Sequence, residues 1–198
     1  DGGICVVVPI DMSDRVSIRE AVVSVEEQLG TITTLVNNAG MPDAQWAVKQ
    51  SDELIDTVMG TNLTGPYILS CEVARKLMQE KLPGRMVNIA SMAAFNTTSQ
   101  SAAPLYSITK KALVRMTEAL AVEWAGRNIN VNAIAPGFFS SEMTDGMLER
   151  IGDITPTLNR KRIPTAEQMD STLLFLLSPS SECVTGTCIK IDDGQMSR

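Results

Sequence analysis

Tyr106 and Lys110 stand four positions apart in the stretch PLYSITKKAL, residues 104–113. In a helix this is just over one turn, so both side chains leave from the same side. An ammonium beside a phenol favours the phenolate and makes the phenol a stronger acid. A Tyr–Lys pair on a solvated helix face is the plainer reading of the same two residues. The chain has two tyrosines and no histidine. Lacking histidine, it cannot build a Ser-His-Asp or Cys-His nucleophile system or a histidine-ligated zinc site. Proton chemistry near neutral pH therefore falls to Tyr, Lys, Cys or a carboxylate.

The four cysteines (Cys5, Cys71, Cys183 and Cys188) have neither metal-ligand nor disulfide-framework spacing. They read as buried free thiols in a reducing, cytoplasmic compartment, with no metal. Of 198 residues, 44% are hydrophobic and 20% charged, which suits one domain over 1–198 with a sizeable core. The net charge is −6 and there is no basic run, so nucleic acid is not an expected partner. Neither an apolar run of about 18 residues nor a secretory leader is visible, so no membrane association is expected.

The elements that must position Tyr106 and Lys110 alternate between short apolar runs and 3.6-periodic segments. Strands are expected over 4–10, 33–40, 84–91, 129–137 and 183–192. Helices are expected over 15–29, with Ser13 or Asp14 as cap, and over 50–63, 66–81, 104–125 and 166–178. Pro66 suits the first turn of its helix, and 139–161 reads as mixed loop and helix. Near-continuous apolar strands alternating with helices predict a parallel sheet covered on both faces. In such sheets ligands sit beyond the carboxyl ends of the strands. The residues there are Asp11, Asn37-Asn38-Ala39-Gly40, Ser91 and Pro136-Gly137, which are small, polar or glycine and let a ligand approach the backbone.

Taken in order, these residues resemble the short-chain dehydrogenase/reductase family over essentially the whole chain. NNAG (37–40) follows a strand, Asn62 lies in GTNLTGPY, Ser91 ends a strand, and Tyr106-x-x-x-Lys110 opens the long helix. NAIAPG (132–137) precedes Ser141 in FFSSEMT, and VTGTCIKIDDG (184–194) forms the tail. The segment 120–144 is most similar to the branch of gluconate and other polyol dehydrogenases and 3-oxoacyl reductases.

The resemblance implies an NAD- or NADP-dependent oxidoreductase that interconverts a secondary alcohol and a ketone. Tyr106 would be the acid/base, Lys110 would lower its pKa and bind the nicotinamide ribose, and Ser91 would hold the substrate oxygen. Asn62 would orient a relay water. Asp11, with Met12, matches the adenine-side acid, although Asp11 reads equally as a turn or cap residue. Asn37, Ala39 and Gly40 match the turn lining the adenosine ribose. Pro136, Gly137, Phe139 and Ser141 match the segment that holds the carboxamide. The substrate would be a small alcohol or ketone of sugar-acid, polyol or 3-oxoacyl type, lined by 92–103 and 138–160. Helices 66–81 and 104–125 are those the family pairs across a subunit interface, which implies a homotetramer or homodimer.

The family's glycine-rich phosphate fingerprint is absent from these residues. The fold class expected is thus α/β, a Rossmann-like doubly wound parallel sheet missing the first two strands and helices, roughly 50 residues by the size of a βαβ unit. That would leave 4–10 without sheet neighbours. A segment of a longer protein is the expectation. A truncated, non-catalytic relative acting as scaffold or subunit is the alternative. Fourteen residues separate Ser91 from Tyr106, so the loop NTTSQSAA (96–103) reads as enlarged. Pro164 and Ala166 stand where the family often has Gly and Pro, and Asp193 replaces a usual glycine.

Overall fold

The computed structural model describes residues 2–43, 45–96 and 103–196. Helix α1 (Arg15–Leu29) leads into strand β1 (Thr34–Asn37), and Asp14 caps it by accepting from the Val16 N–H at 2.8 Å. Helices α2 (Asp52–Met59) and α3 (Gly65–Glu80) cross to β2 (Gly84–Ile89), and α4 (Pro104–Trp124) crosses to β3 (Ile129–Pro136). Helices α5 (Glu142–Ile151) and α6 (Asp170–Leu177) precede β4 (Cys188–Ile191). The four strands form one parallel sheet in sequence order, with Asn37 opposite Asn88 and Ile89 opposite Ile134.

Both faces of the sheet are covered, and this is why its strands are apolar throughout rather than alternating. On one face Leu77 of α3 and Leu113, Leu120 and Trp124 of α4 pack on Met86, Ile129 and Val131. On the other, Leu176 of α6 packs on Val87 and Ile134. The fold is the expected Rossmann-like α/β architecture. A polar rung crosses the first face. Asn37 donates to Ser70 Oγ (3.0 Å) and Asn88 Oδ1 (2.8 Å), and Asn88 donates to Thr117 Oγ1 (2.9 Å). Because each of these groups is buried, the rung ties β1, β2, α3 and α4 into one register.

Several expectations are corrected. Residues 4–10 form no strand, and Val7 is 93% exposed. An apolar run becomes a strand only when its N–H and C=O groups have a ladder to join, and no described strand pairs with it. The last strand is four residues long rather than ten. The Asn130 and Asn132 amides and the Val131 carbonyl instead hold residues 182–186 as a loop. The cysteines are free, but Cys5 and Cys183 are exposed and Cys71 and Cys188 only partly buried.

The expected helices 50–63 and 66–81 are continuous through a π turn, Gly60–Thr64. Pro66 lacks the N–H that an α-helix would direct at the Asn62 carbonyl, and widening by one residue accommodates that loss. The turn packs against the Met12–Ser13 backbone so tightly that a methyl on Gly65 would collide with the Met12 carbonyl. Gly65→Ala should therefore cost about 1–3 kcal/mol in denaturant unfolding, the usual penalty of overpacking. Gly126→Ala, whose methyl meets nothing within 4 Å, should cost far less. Equal losses would contradict the close packing of the π turn.

Candidate active site

Lys110 lies on the sheet side of α4 and is 3% exposed, and its Nζ donates to the Ile89 carbonyl at 2.7 Å, where β2 ends. One of its three donors is thus used. Burial pushes the amine down to about 8, because the charged form is the one that loses its water. The Nζ sits 5.6 Å from the centre of the Tyr106 ring, one turn earlier on the same helix. Ser91, two residues beyond Ile89, has its hydroxyl close enough to the Tyr106 phenol to lower its pKa, and its Oγ accepts from the Ala93 N–H at 3.1 Å.

The spacing of Tyr106 and Lys110 led us to expect a lowered phenol pKa. In the structure burial of the phenol is the larger effect and holds Tyr106 above the usual tyrosine value, while the Ser91 hydroxyl works against it. At neutral pH the pair presents a protonated phenol beside a cationic or partly neutral amine.

Asn62 sits on the π turn with 0% exposure. Its Oδ1 accepts from the Met41 N–H (2.8 Å), and its Nδ2 donates to the Met41 carbonyl (2.9 Å) and to Thr109 Oγ1 (3.2 Å). Both amide hydrogens are committed. The side chain clamps the loop after β1 to α4, and Thr109 passes the connection on by donating to the Tyr106 carbonyl at 2.8 Å. Gly40 lies between the two polar groups. A Cβ there would come within 3.2 Å of the Lys110 Nζ and 3.5 Å of the Asn62 Oδ1. Ser91, Tyr106, Lys110, Asn62 and Gly40 are thus gathered at the carboxyl ends of β1 and β2.

The remaining candidates are placed differently. The Asn37 side chain turns into the core as part of the polar rung, whereas Ala39 is exposed on the turn. Asp11 is exposed and accepts from the Ser13 N–H (2.8 Å) and hydroxyl (2.7 Å). That is a turn role, and these bonds hold its carboxyl below the usual range. The Met12 side chain is buried. Pro136 ends β3 and the Gly137 N–H donates to the Ile191 carbonyl at 2.8 Å; Phe139 is buried, and Ser141 caps α5 by accepting from the Thr144 N–H.

A cleft of about 360 Å³ lined by Val36, Asn38, Ile89, Ile134, Met169 and Leu173 opens beside the ends of β1 and β2. Of the expected substrate lining at 92–103, residues 97–102 lie outside the described residues, as does most of the loop read as enlarged. The other lining segment, 138–160, is anchored to the tail. Gln195 accepts from the Phe138 N–H (2.7 Å) and donates to the Phe138 carbonyl (2.9 Å). Arg160 and Arg162 bind the Asp193 carboxylate. Sequence reasoning missed Thr109, Ser107 and Gln195. The first two carried a signal as small polar residues around Tyr106 on a helix, whereas Gln195 carried none.

Residues 1–196 match the family model described as enoyl-(acyl carrier protein) reductase. The chain is 33% identical over 191 residues to the 2-dehydro-3-deoxy-D-gluconate 5-dehydrogenase of Dickeya dadantii, covering 95% of this chain and 75% of that protein. Its fold superposes with a TM-score of 0.93 on a short-chain type dehydrogenase/reductase from Mycobacterium marinum at 27% identity, covering 100% of this chain and 78% of the other. The TM-score is 0.82, also at 27% identity, with a 4-hydroxyisoleucine dehydrogenase complexed with NADH, over 94% of this chain and 79% of that one.

The buried amine sets a pH dependence. Its pKa falls from 10.5 unfolded to about 8 folded, so below pH 8 both states are protonated and the full penalty of burying the charge is present. Between about 8 and 10.5 the unfolded chain binds more protons than the folded one, and stability gained from this residue rises with pH. Relative to Lys110→Met, the wild type should gain on the order of 3 kcal/mol of unfolding free energy between pH 7 and pH 11. Urea melts of the two proteins across that range check this, and a constant difference between them would refute it.

Proposed function

The chain belongs to the short-chain dehydrogenase/reductase family of oxidoreductases, and from that premise we propose that it interconverts a secondary alcohol and a ketone, with Tyr106 exchanging the proton. The observation that supports this most is the array at the end of β2, in which Lys110 is bonded to the Ile89 carbonyl and lies beside the Tyr106 ring, with the Ser91 hydroxyl close to the phenol. A nicotinamide cofactor, NAD or NADP, supplies or accepts the hydride when bound. The side-chain-free turn at Gly40, next to the two remaining donors of Lys110, suits a ribose hydroxyl pair, and the Gly137–Ser141 segment suits the carboxamide. Asp11 and Met12 fit the adenine side through their place after the first apolar run rather than through a free carboxylate.

Ser91 holds the substrate oxygen within reach of the phenol, and the Tyr106 O–H donates its proton to that oxygen as the carbonyl is reduced. A phenol held above its usual pKa by burial is well suited to donating, and in the reverse direction the same oxygen takes the proton from the alcohol. Lys110 stabilises the phenolate left after donation more than it stabilises the neutral phenol, which is transition-state rather than ground-state binding. Asn62 keeps the Gly40–Met41 turn against α4, and any relay water would meet its remaining lone pair or its main chain. The substrate class is a sugar acid, polyol or 3-oxoacyl compound bordered by α5. Ile108 and Val122 of α4 and Tyr67 of α3 are exposed, and a second copy of the chain would cover them in a homodimer or homotetramer.

Tyr106→Phe should lower turnover by about 10²–10⁴, the scale of general acid catalysis. NADH and NADPH affinity, read from the quenching of Trp46 and Trp124 fluorescence, should stay nearly unchanged. Retained turnover would remove Tyr106 as the acid. Absence of any nicotinamide nucleotide binding by the wild type would favour the rival reading, a non-catalytic scaffold or subunit.

A further inference from the structure

The two sequence neighbours of Tyr106 are held by different strand-end loops. The Ser107 hydroxyl donates to the Ala93 carbonyl at 2.6 Å, which ties the helix to the turn that begins at Ser91. The Leu105 N–H donates to Asp43 Oδ2 at 3.0 Å, which ties it to the loop that leaves β1 through Gly40. Asp43 is 2% exposed. Its Oδ2 also accepts from the Gln50 side chain, its Oδ1 is buried without a hydrogen bond, and it belongs to no ion pair among the described residues.

A carboxylate buried without a cation is expensive, so its presence needs a compensating interaction. The start of α4 provides one. Pro104 has no N–H, Ala103 offers no side-chain cap, and Leu105 therefore carries the first donor of the helix with no partner in its own segment. Asp43 caps the helix from another element and places its charge at the positive end of the dipole. Through this bond the Gly40 turn and the phenol share one frame. The Asn62 clamp at Met41 fixes the same loop two residues earlier.

We propose that Asp43 is a positioning residue for Tyr106, a cap supplied from the loop after β1 that registers the first turn of α4, and with it the phenol, against the Gly40 turn. The proposal rests on the reading of Tyr106 as the proton-exchanging group. Its working part is the hydrogen bond accepted from Leu105, not the charge. Asparagine, with an oxygen in the same place, should therefore replace it.

The test uses Tyr67→Phe as parent, in which Tyr106 is the only phenol. Tyrosinate absorbance after a rapid pH jump then reads the Tyr106 titration before alkaline unfolding. Asp43→Ala should lower the midpoint by about one pH unit, a tenfold change in the equilibrium, as water enters a loosened first turn. It should also speed amide exchange over residues 103–108, whereas Asp43→Asn should match the parent in both. Coincident titrations of Asp43→Ala and the parent would overturn the proposal, as would an Asp43→Asn shift equal to that of Asp43→Ala. If circular dichroism shows Asp43→Ala unfolded, Asp43→Ser, whose shorter side chain stops short of Leu105, takes its place. A lowered midpoint in Asp43→Ser then supports the proposal, and coincidence with the parent overturns it. Neither substrate nor cofactor enters the measurement. A wild type without turnover would thus overturn the functional reading while leaving this result standing.

Discussion

The bond from the Lys110 amine to the Ile89 carbonyl is the constraint on which the rest of the site depends. A desolvated amine needs a strong acceptor, and the carbonyl at the end of a strand has no further ladder partner to lose. Satisfying both fixes where α4 passes over β2. Ser91 lies two residues beyond Ile89 and Tyr106 one turn before Lys110. A contact between hydroxyl and phenol therefore follows from a contact between amine and carbonyl. The apolar packing of Leu113 and Val114, one turn later on α4, offsets the cost of burying the amine.

The loops around this bond are held by side chains rather than by ladders. Asn62 holds Met41, Ser107 holds Ala93, Asn130 and Asn132 hold residues 182–184, and Gln195 holds Phe138. Parallel strands end abruptly at their carboxyl edges, so any turn there must find partners for its N–H and C=O groups elsewhere. The π turn belongs to the same economy. Pro66 forces a widening, and the widened turn carries Asn62 into the core, where its amide meets both the Met41 backbone and Thr109.

Residue types and spacing made Tyr106, Lys110, Ser91 and Asn62 legible because each sits at a strand end or helix turn whose period the sequence displays. The helices were legible for the same reason, and of the two caps the sequence offered, Ser13 and Asp14, it is Asp14 that accepts from the Val16 N–H. What escaped depends on partners distant in sequence. Residues 4–10 carry a strand's composition, but composition does not supply a neighbour to pair with. Asn37 resembles a ligand contact by position, yet Ser70 and Asn88, 33 and 51 residues further along, claim its side chain for the core. Asp193 is the reverse case. It adopts the left-handed conformation its glycine-like position requires (φ 52°) and uses the added carboxylate to bind Arg160 and Arg162.

Burial acts on the two titrating groups in opposite senses, and the balance favours one direction of the proposed chemistry. It raises the phenol and lowers the amine, because both shifts disfavour charge. Below pH 8 the phenol is protonated and the amine cationic, the state that can donate a proton and then stabilise the phenolate left behind. Taking a proton from an alcohol requires the phenolate first, and the rising pH that forms it also strips the amine of the charge that stabilises it. The two requirements overlap poorly in the chain by itself. The oxidative direction therefore needs a further positive charge next to the phenol, and an oxidised nicotinamide ring carries one. Under the proposed chemistry carbonyl reduction would need none, since the protonated Tyr106 and cationic Lys110 would already be in the state that donates.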